Sequence, residues 1–109
     1  MDWIFKTFDK MENGYKVQRV ALTSVDGLQI STVGIDDMPG FNYETAICDK
    51  KSVYPVERYV ELEAAEVGHR LWEEKEPHLT TVINLGSGDG LVSDEEVTLE
   101  RSETKFIKE

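Results

Sequence analysis

The segment Thr81–Gly90, TVINLGSGDG, has two readings that lead to different folds. An apolar strand entering a glycine-rich turn opens a nucleotide-type cofactor site when the strand is central and parallel. The turn must then begin a helix whose N-terminus and backbone amides meet the ligand. The same string also serves as a strand entering a flexible hairpin connection. The residues that follow choose between the two. Leu91–Val97, LVSDEEV, is too short and too β-like for a crossover helix. Only 19 residues remain after Gly90, so a parallel sheet has no chain to be built from. Asn84 stands where an S-adenosylmethionine site places an acid, and no Lys follows the glycines as a phosphate loop requires. The hairpin reading stands, and no cofactor is expected.

Working outward, residues 61–75 form the one clear helix. Val60, Ala64, Val67 and Leu71 fall within about 60° of one another on it. Glu63, Glu66, Arg70, Glu73 and Glu74 occupy the opposite arc, and Pro77 ends it. The remaining pattern is of strands. Trp3–Phe8 and Tyr15–Leu22 read as a hairpin about Asn13-Gly14. Within the second of these the alternation changes phase between Arg19 and Val20. Residues 23–40 are irregular around a short strand at Leu28–Val33. Phe41–Cys48 alternates cleanly, and Val53–Tyr59 returns antiparallel to it. Pro55 cannot donate to a ladder, which places that strand at an edge or a bulge. Thr80–Leu85 and Val97–Arg101 complete the set, and 102–109 reads as a frayed tail. One helix among strands joined by hairpins implies an α+β fold. The expectation is an antiparallel sheet of five to six strands with one amphipathic helix packed on a face, in a single domain over 1–109.

Composition sets the class. Hydrophobic residues make up 39% and charged residues 31% of the chain, the balance of a globular protein rather than a disordered tail. No apolar run approaches a membrane span, and Met1–Lys6 lacks the features of a signal peptide. The lone Cys48 fits a reducing compartment, which makes the cytosol of a bacterium or an infected cell the expected location. Net charge is −10, with seven acids against three bases in each of 57–76 and 89–109. Such a field repels phosphate backbones, so neither direct nucleic-acid binding nor a membrane role is expected. It reads either as a solvated surface or as an acidic face that meets a basic partner surface, with DNA mimicry one form of the latter.

The chemical motifs are sparse. Asp89, Asp94, Glu95 and Glu96 cluster but lack EF-hand spacing, and adjacent acids on a strand point to opposite faces. His69 and Glu73 lie one helical turn apart, while His78 sits beyond Pro77, short of a three-ligand metal set. His69 flanks the apolar arc and is expected to be a half-buried structural histidine. No Ser stands in a strained Gly-x-Ser-x-Gly turn, and the aromatics fall on strand or helix faces as core. No catalytic, metal or cofactor residue is assigned.

Three strings occur in a specific order: WIFKTFDKMENGYKVQRVAL (Trp3–Leu22), YETAIC (Tyr43–Cys48) and ERYVELEAAEVGHRLW (Glu57–Trp72). This constellation resembles a family of small tailed-phage and prophage proteins that carries no known enzymatic activity. Arg58-Tyr59, Ala65 and Gly68-His69 sit at matching positions. The resemblance covers about residues 3–75, leaving 76–101 as a C-terminal β extension and 102–109 as a tail. It departs at Glu61, where the family usually has a helix-capping Thr. The motif residues Tyr43, Glu44, Arg58, Tyr59, Gly68 and His69 read as structural, with Gly68 admitting the helix to the sheet and His69 tied to its neighbours. The resemblance implies a non-enzymatic phage accessory protein acting through protein–protein contacts, as a minor virion or assembly component in the host cytoplasm or on the virion. The alternative is an acidic inhibitor of a host nucleic-acid-binding or defence enzyme. Either way the partner is a protein, a phage structural protein or a basic host protein. The expected contact surface comprises Glu63, Glu66, Arg70, Glu73, Glu74, Asp89, Asp94, Glu95 and Glu96.

Overall fold

A computed structural model of the protein describes residues 17–35, 42–86 and 94–103. The elements run β1 (Val17–Val25), β2 (Leu28–Ile35), β3 (Tyr43–Cys48), β4 (Val53–Tyr59), α1 (Leu62–Lys75), a 3-10 turn at Glu76–His78, β5 (Thr81–Asn84) and β6 (Glu95–Thr98). Strands β1 to β4 form one antiparallel sheet in chain order, and β5 pairs antiparallel with β6. The fold is α+β, with one helix packed on antiparallel strands. The expected strand at Trp3–Phe8, and Asp89 with it, lies outside the described residues.

The stretch 23–40, read as irregular around a short strand, holds the end of β1 and the whole of the central strand β2. β1 runs on to Val25, Asp26 and Gly27 turn at φ 49° and 82°, and β2 extends to Ile35. Two consecutive positive φ values fit the hairpin turn whose twist matches its strands. β2 contains the expected strand Leu28–Val33 and extends it by two residues, and it reads shorter than it is because it is flanked on both sides. Every residue from Ser31 to Gly34 is buried, so alternation vanishes, and Ser31, Thr32 and Gly34 look like loop.

Two irregularities were legible. The register of β1 against β2 shifts between Arg19 and Ala21, where the sequence changes phase. The register of β3 against β4 shifts beside Pro55, with Ala46 opposite Pro55 and Thr45 opposite Glu57. The carbonyl freed there accepts the Leu85 amide at 2.9 Å, which ties β5 to β4.

One sheet face carries Thr23 on β1, Leu28, Ile30 and Thr32 on β2, Thr45 and Ile47 on β3, and Tyr54, Glu57 and Tyr59 on β4. Its Leu28–Ile30–Ile47 end is covered by Val82, with Leu79, Trp72, Val97 and Leu99 around it. Its Thr32–Thr45 end lies under α1. The other face carries Ser31, Val33, Ala46 and Cys48, all buried, and the Glu44–Arg58 pair.

The helix sits differently from its apolar pattern. Its buried residues are Ala65, Gly68 and His69. The expected core arc faces outward: Val60 is 54%, Val67 46% and Leu71 49% exposed, and Ala64 is exposed as well. The physical reason is close approach. A Cβ on Gly68 would stand 2.6 Å from Cε1 and Cζ of Tyr59 and meet its hydroxyl too. A helix lying this near a sheet admits only small side chains or ones that hydrogen-bond across the seam. At the N-cap, Glu61 makes no side-chain capping bond, in line with its poor capping chemistry.

Candidate functional site

The seam between helix and sheet is polar. Thr23 Oγ1 donates to Glu73 Oε2 at 2.5 Å and lies 2.9 Å from His69 Nε2. With its single hydrogen committed to the carboxylate, Thr23 accepts from Nε2–H. The ring then accepts at Nδ1, 2.7 Å from Thr32 Oγ1. Thr32 Oγ1 lies 2.5 Å from Thr45 Oγ1, and Thr45 Oγ1 lies 2.9 Å from the Tyr59 hydroxyl. Tyr59 donates to Glu57 Oε1 at 3.0 Å, and the same carboxylate oxygen receives Trp72 Nε1–H at 2.8 Å. The result is a continuous line of polar side chains at hydrogen-bond distance from Glu57 to Glu73, passing through every strand of the β1–β4 sheet. Thr32, Thr45, Tyr59 and His69 in it are buried.

Burial dominates the electrostatics of this line. It pushes the His69 pKa below its ordinary value, with the Glu73 carboxylate 3.6 Å away pulling the other way. Burial likewise raises Tyr59 to about 12, with the bond to Thr45 opposing and the one to Glu57 reinforcing. The phenol therefore keeps its proton across the physiological range. On the opposite face, burial raises Glu44 despite the Arg58 guanidinium 2.9 Å away. Cys48 is pushed up to about 12 by burial and by Asp49, so it stays a thiol.

The sequence-derived site residues fall in three places. Gly68, His69 and Tyr59 meet at the seam, although His69 bonds to Thr23 and Thr32 rather than directly to Arg58-Tyr59 or Tyr43-Glu44. Glu44 and Arg58 pair on the other face, where Arg58 also donates to the Gly86 carbonyl at 2.6 Å. Tyr43 packs beside Gly34, where a Cβ would lie 3.2 Å from its Cε1. The acids Glu63, Glu66, Glu73 and Glu74, with Arg70, are exposed on α1, and Asp94, Glu95 and Glu96 are exposed at β6. Glu73 differs from the rest, since it is a partner of the buried line. Among the described residues no three His, Cys, Asp or Glu side chains converge on a metal position, and no helix is long and apolar enough to cross a membrane.

The glycine turn has its own local explanation. β5 leads into it as one strand of an antiparallel pair, and Gly86 takes φ 80°. The Asn84 side chain accepts the Gly86 amide at 3.0 Å, at the position where a cofactor strand would place its acid, and Ser87–Gly90 lie outside the described residues.

Sequence reasoning missed Thr23, Thr32, Thr45 and Glu57. The available signal was two threonines at inward positions of strands that otherwise read apolar. It also missed Arg101. That guanidinium holds Glu76 Oε2 at 2.6 Å, the carbonyls of Glu76 and Leu79 at 2.9 Å each, and the Asp26 carbonyl at 3.1 Å. Glu76 is only 4% exposed, and Arg101 neutralises it.

No known family model, curated protein or solved structure matches the chain.

Proposed function

We propose that the protein is a non-enzymatic accessory protein of a phage or prophage that acts by protein–protein contact through the outer side of α1. The observation that carries this reading is the row Ala64, Val67 and Leu71, exposed on successive turns of α1 with Val60 exposed just before it, on a helix that also exposes Glu63, Glu66 and Glu74. Scattered surface apolar residues need no explanation, but a contiguous row edged by charge is what a partner surface looks like. Such a surface suits an amphipathic partner segment with an apolar centre and basic flanks. The phage setting is supported by the three-string resemblance, and a virion or assembly partner is the reading it favours.

The test is affinity capture from infected cells with the wild type and a Val67→Glu/Leu71→Glu variant. A partner recovered by the wild type and lost by the variant supports the reading; equal recovery by both sinks it. Mass spectrometry of purified virions then separates a virion component from a protein left in the cell.

A second reading is favoured by the acids of α1 and β6: an inhibitor that meets the basic cleft of a nucleic-acid-binding or defence enzyme. Its signature is binding that weakens steeply with salt, because exposed charge pairs are screened.

A further inference from the structure

The buried line under α1 can be audited for hydrogens. It has six links: Glu73–Thr23, Thr23–His69, His69–Thr32, Thr32–Thr45, Thr45–Tyr59 and Tyr59–Glu57. Their separations run from 2.5 to 3.0 Å, so each is a hydrogen-bond distance. A link needs one hydrogen. With a neutral imidazole and both carboxylates ionised, each of Thr23, Thr32, Thr45, Tyr59 and the ring offers one. That is five hydrogens for six links. Tyr59 shows the shortage most directly. With the ring hydrogen on Nε2, Thr32 donates to Nδ1, so if Tyr59 donates to Glu57, Thr45 must serve both Thr32 and Tyr59 with a single hydrogen. With it on Nδ1, the shortage moves to Thr23, between Nε2 and Glu73.

One added proton removes the conflict. On the imidazole, Nδ1–H donates to Thr32, Thr32 to Thr45, Thr45 to Tyr59 and Tyr59 to Glu57, while Nε2–H and Thr23 run the other way to Glu73. All six links are then made. A proton on either terminal carboxylate achieves the same by reversing part of the line. We propose that the line from Glu57 to Glu73 is a single proton-binding unit that lacks one proton in its neutral-histidine form. Uptake of that proton completes the bonds tying α1 to all four strands.

The groups facing His69 are Thr23 from β1, Thr32 from β2 and, on α1 itself, Glu73. Thr45 of β3, with Tyr59 and Glu57 of β4, reaches it through the hydroxyls. Among the described residues, Glu73 is the one charged group acting on the ring. Burial works against protonation, and closure of the stranded link works for it. The unit therefore holds its proton more tightly than a buried histidine without such a line. Because α1 carries the outward apolar row, its seating on the sheet becomes sensitive to pH.

The line can be cut without disturbing the imidazole. In Thr45→Val, four hydrogens serve the four remaining links with a neutral ring. Tyr59→Phe leaves the same balance. In both, protonation completes no link, so the affinity of His69 for a proton should fall by ~3- to 10-fold, the net worth of about one hydrogen bond. The measurement is an imidazole NMR titration of His69 in the wild type, both variants and Ile47→Val, a control from the apolar end of the same face. The proposal predicts lowered proton affinity in both line variants and an unchanged value in the control. Affinities within twofold of the wild type in either folded line variant, or an equal shift in the control, overturn it. The two cuts lie on different strands, so if one variant does not fold the other reads the same quantity.

Discussion

The two ends of one sheet face solve the same packing problem by opposite means. Under the β5–β6 pair, Leu28, Ile30 and Ile47 meet Val82 in a dry cluster. Under α1, Thr23 and Thr32 meet His69 through hydrogen bonds, and Thr45 and Tyr59 continue the line from Thr32. The dry end is non-directional and gains with area removed from water. The polar end is directional, and its buried groups cost free energy whenever a partner is lost. The contrast predicts that stability is concentrated at the apolar end and that the polar end fixes where the helix sits.

The contrast is most exposed to failure at Ile47, which is fully buried. Ile47→Ala should cost about 4 kcal/mol in urea unfolding, as a core deletion. A loss below about 1 kcal/mol would mean that the dry end does not dominate. Arg101→Met, which leaves Glu76 buried and unpaired, should cost about 3 kcal/mol. Raising Glu76→Gln alongside it should recover much of that loss, which the double-mutant cycle measures. Gly68→Ala tests the closeness of the polar seam. On an open helix the change gains up to about 1 kcal/mol, but the collision with Tyr59 should reverse the sign, for a net loss of about 2 kcal/mol.

Dependence on pH should belong to the polar end. The folded His69 binds its proton less readily than the unfolded chain does at 6.5. The unfolded state therefore protonates first, and stability falls as pH drops below about 6.5. Glu44 acts in the opposite sense. Its raised pKa makes the folded state protonate first, so its contribution grows as pH falls toward 4.5. Urea midpoints at pH 7.5, 6.5 and 5.5 should decline for the wild type, in parallel for Ile47→Ala and more steeply for Tyr59→Phe. Parallel slopes for all three would remove the histidine line from the account. The smallest effect is expected outside: Val67→Glu/Leu71→Glu should change stability by less than about 0.5 kcal/mol, because both residues are half-exposed already.

The same contrast explains what the sequence disclosed. β3 and β4 were legible because one face of each alternates, and α1 because its charged arc is unbroken. The buried face of α1 was not legible, since Ala65, Gly68 and His69 carry little hydrophobic signal while Val67 and Leu71 carry much of it outward. β2 reads two residues short, as Leu28–Val33, because burial on both faces blurs its alternation. The hydroxyl line joins residues from Thr23 to Glu73, and no local spacing announces such a path. β6 lies at Glu95–Thr98 rather than Val97–Arg101 because Arg101 leaves the strand to hold Glu76.

That departure has a consequence in time. Gly27 and Ser102 stand 75 residues apart, yet the Ser102 amide bonds the Gly27 carbonyl at 2.9 Å, and Arg101 reaches Asp26 in the same turn. A chain emerging from the ribosome makes the β1–β2 hairpin early and must hold its turn open to solvent until the last of these residues arrives. Local strand pairing can run ahead, but this long closure comes late. Until then Glu76 has no counter-charge, and a nascent or truncated chain stopping before Arg101 carries a buried acid that favours opening. The clasp thus makes closure of the first hairpin's turn depend on residues that lie 75 positions further along the chain.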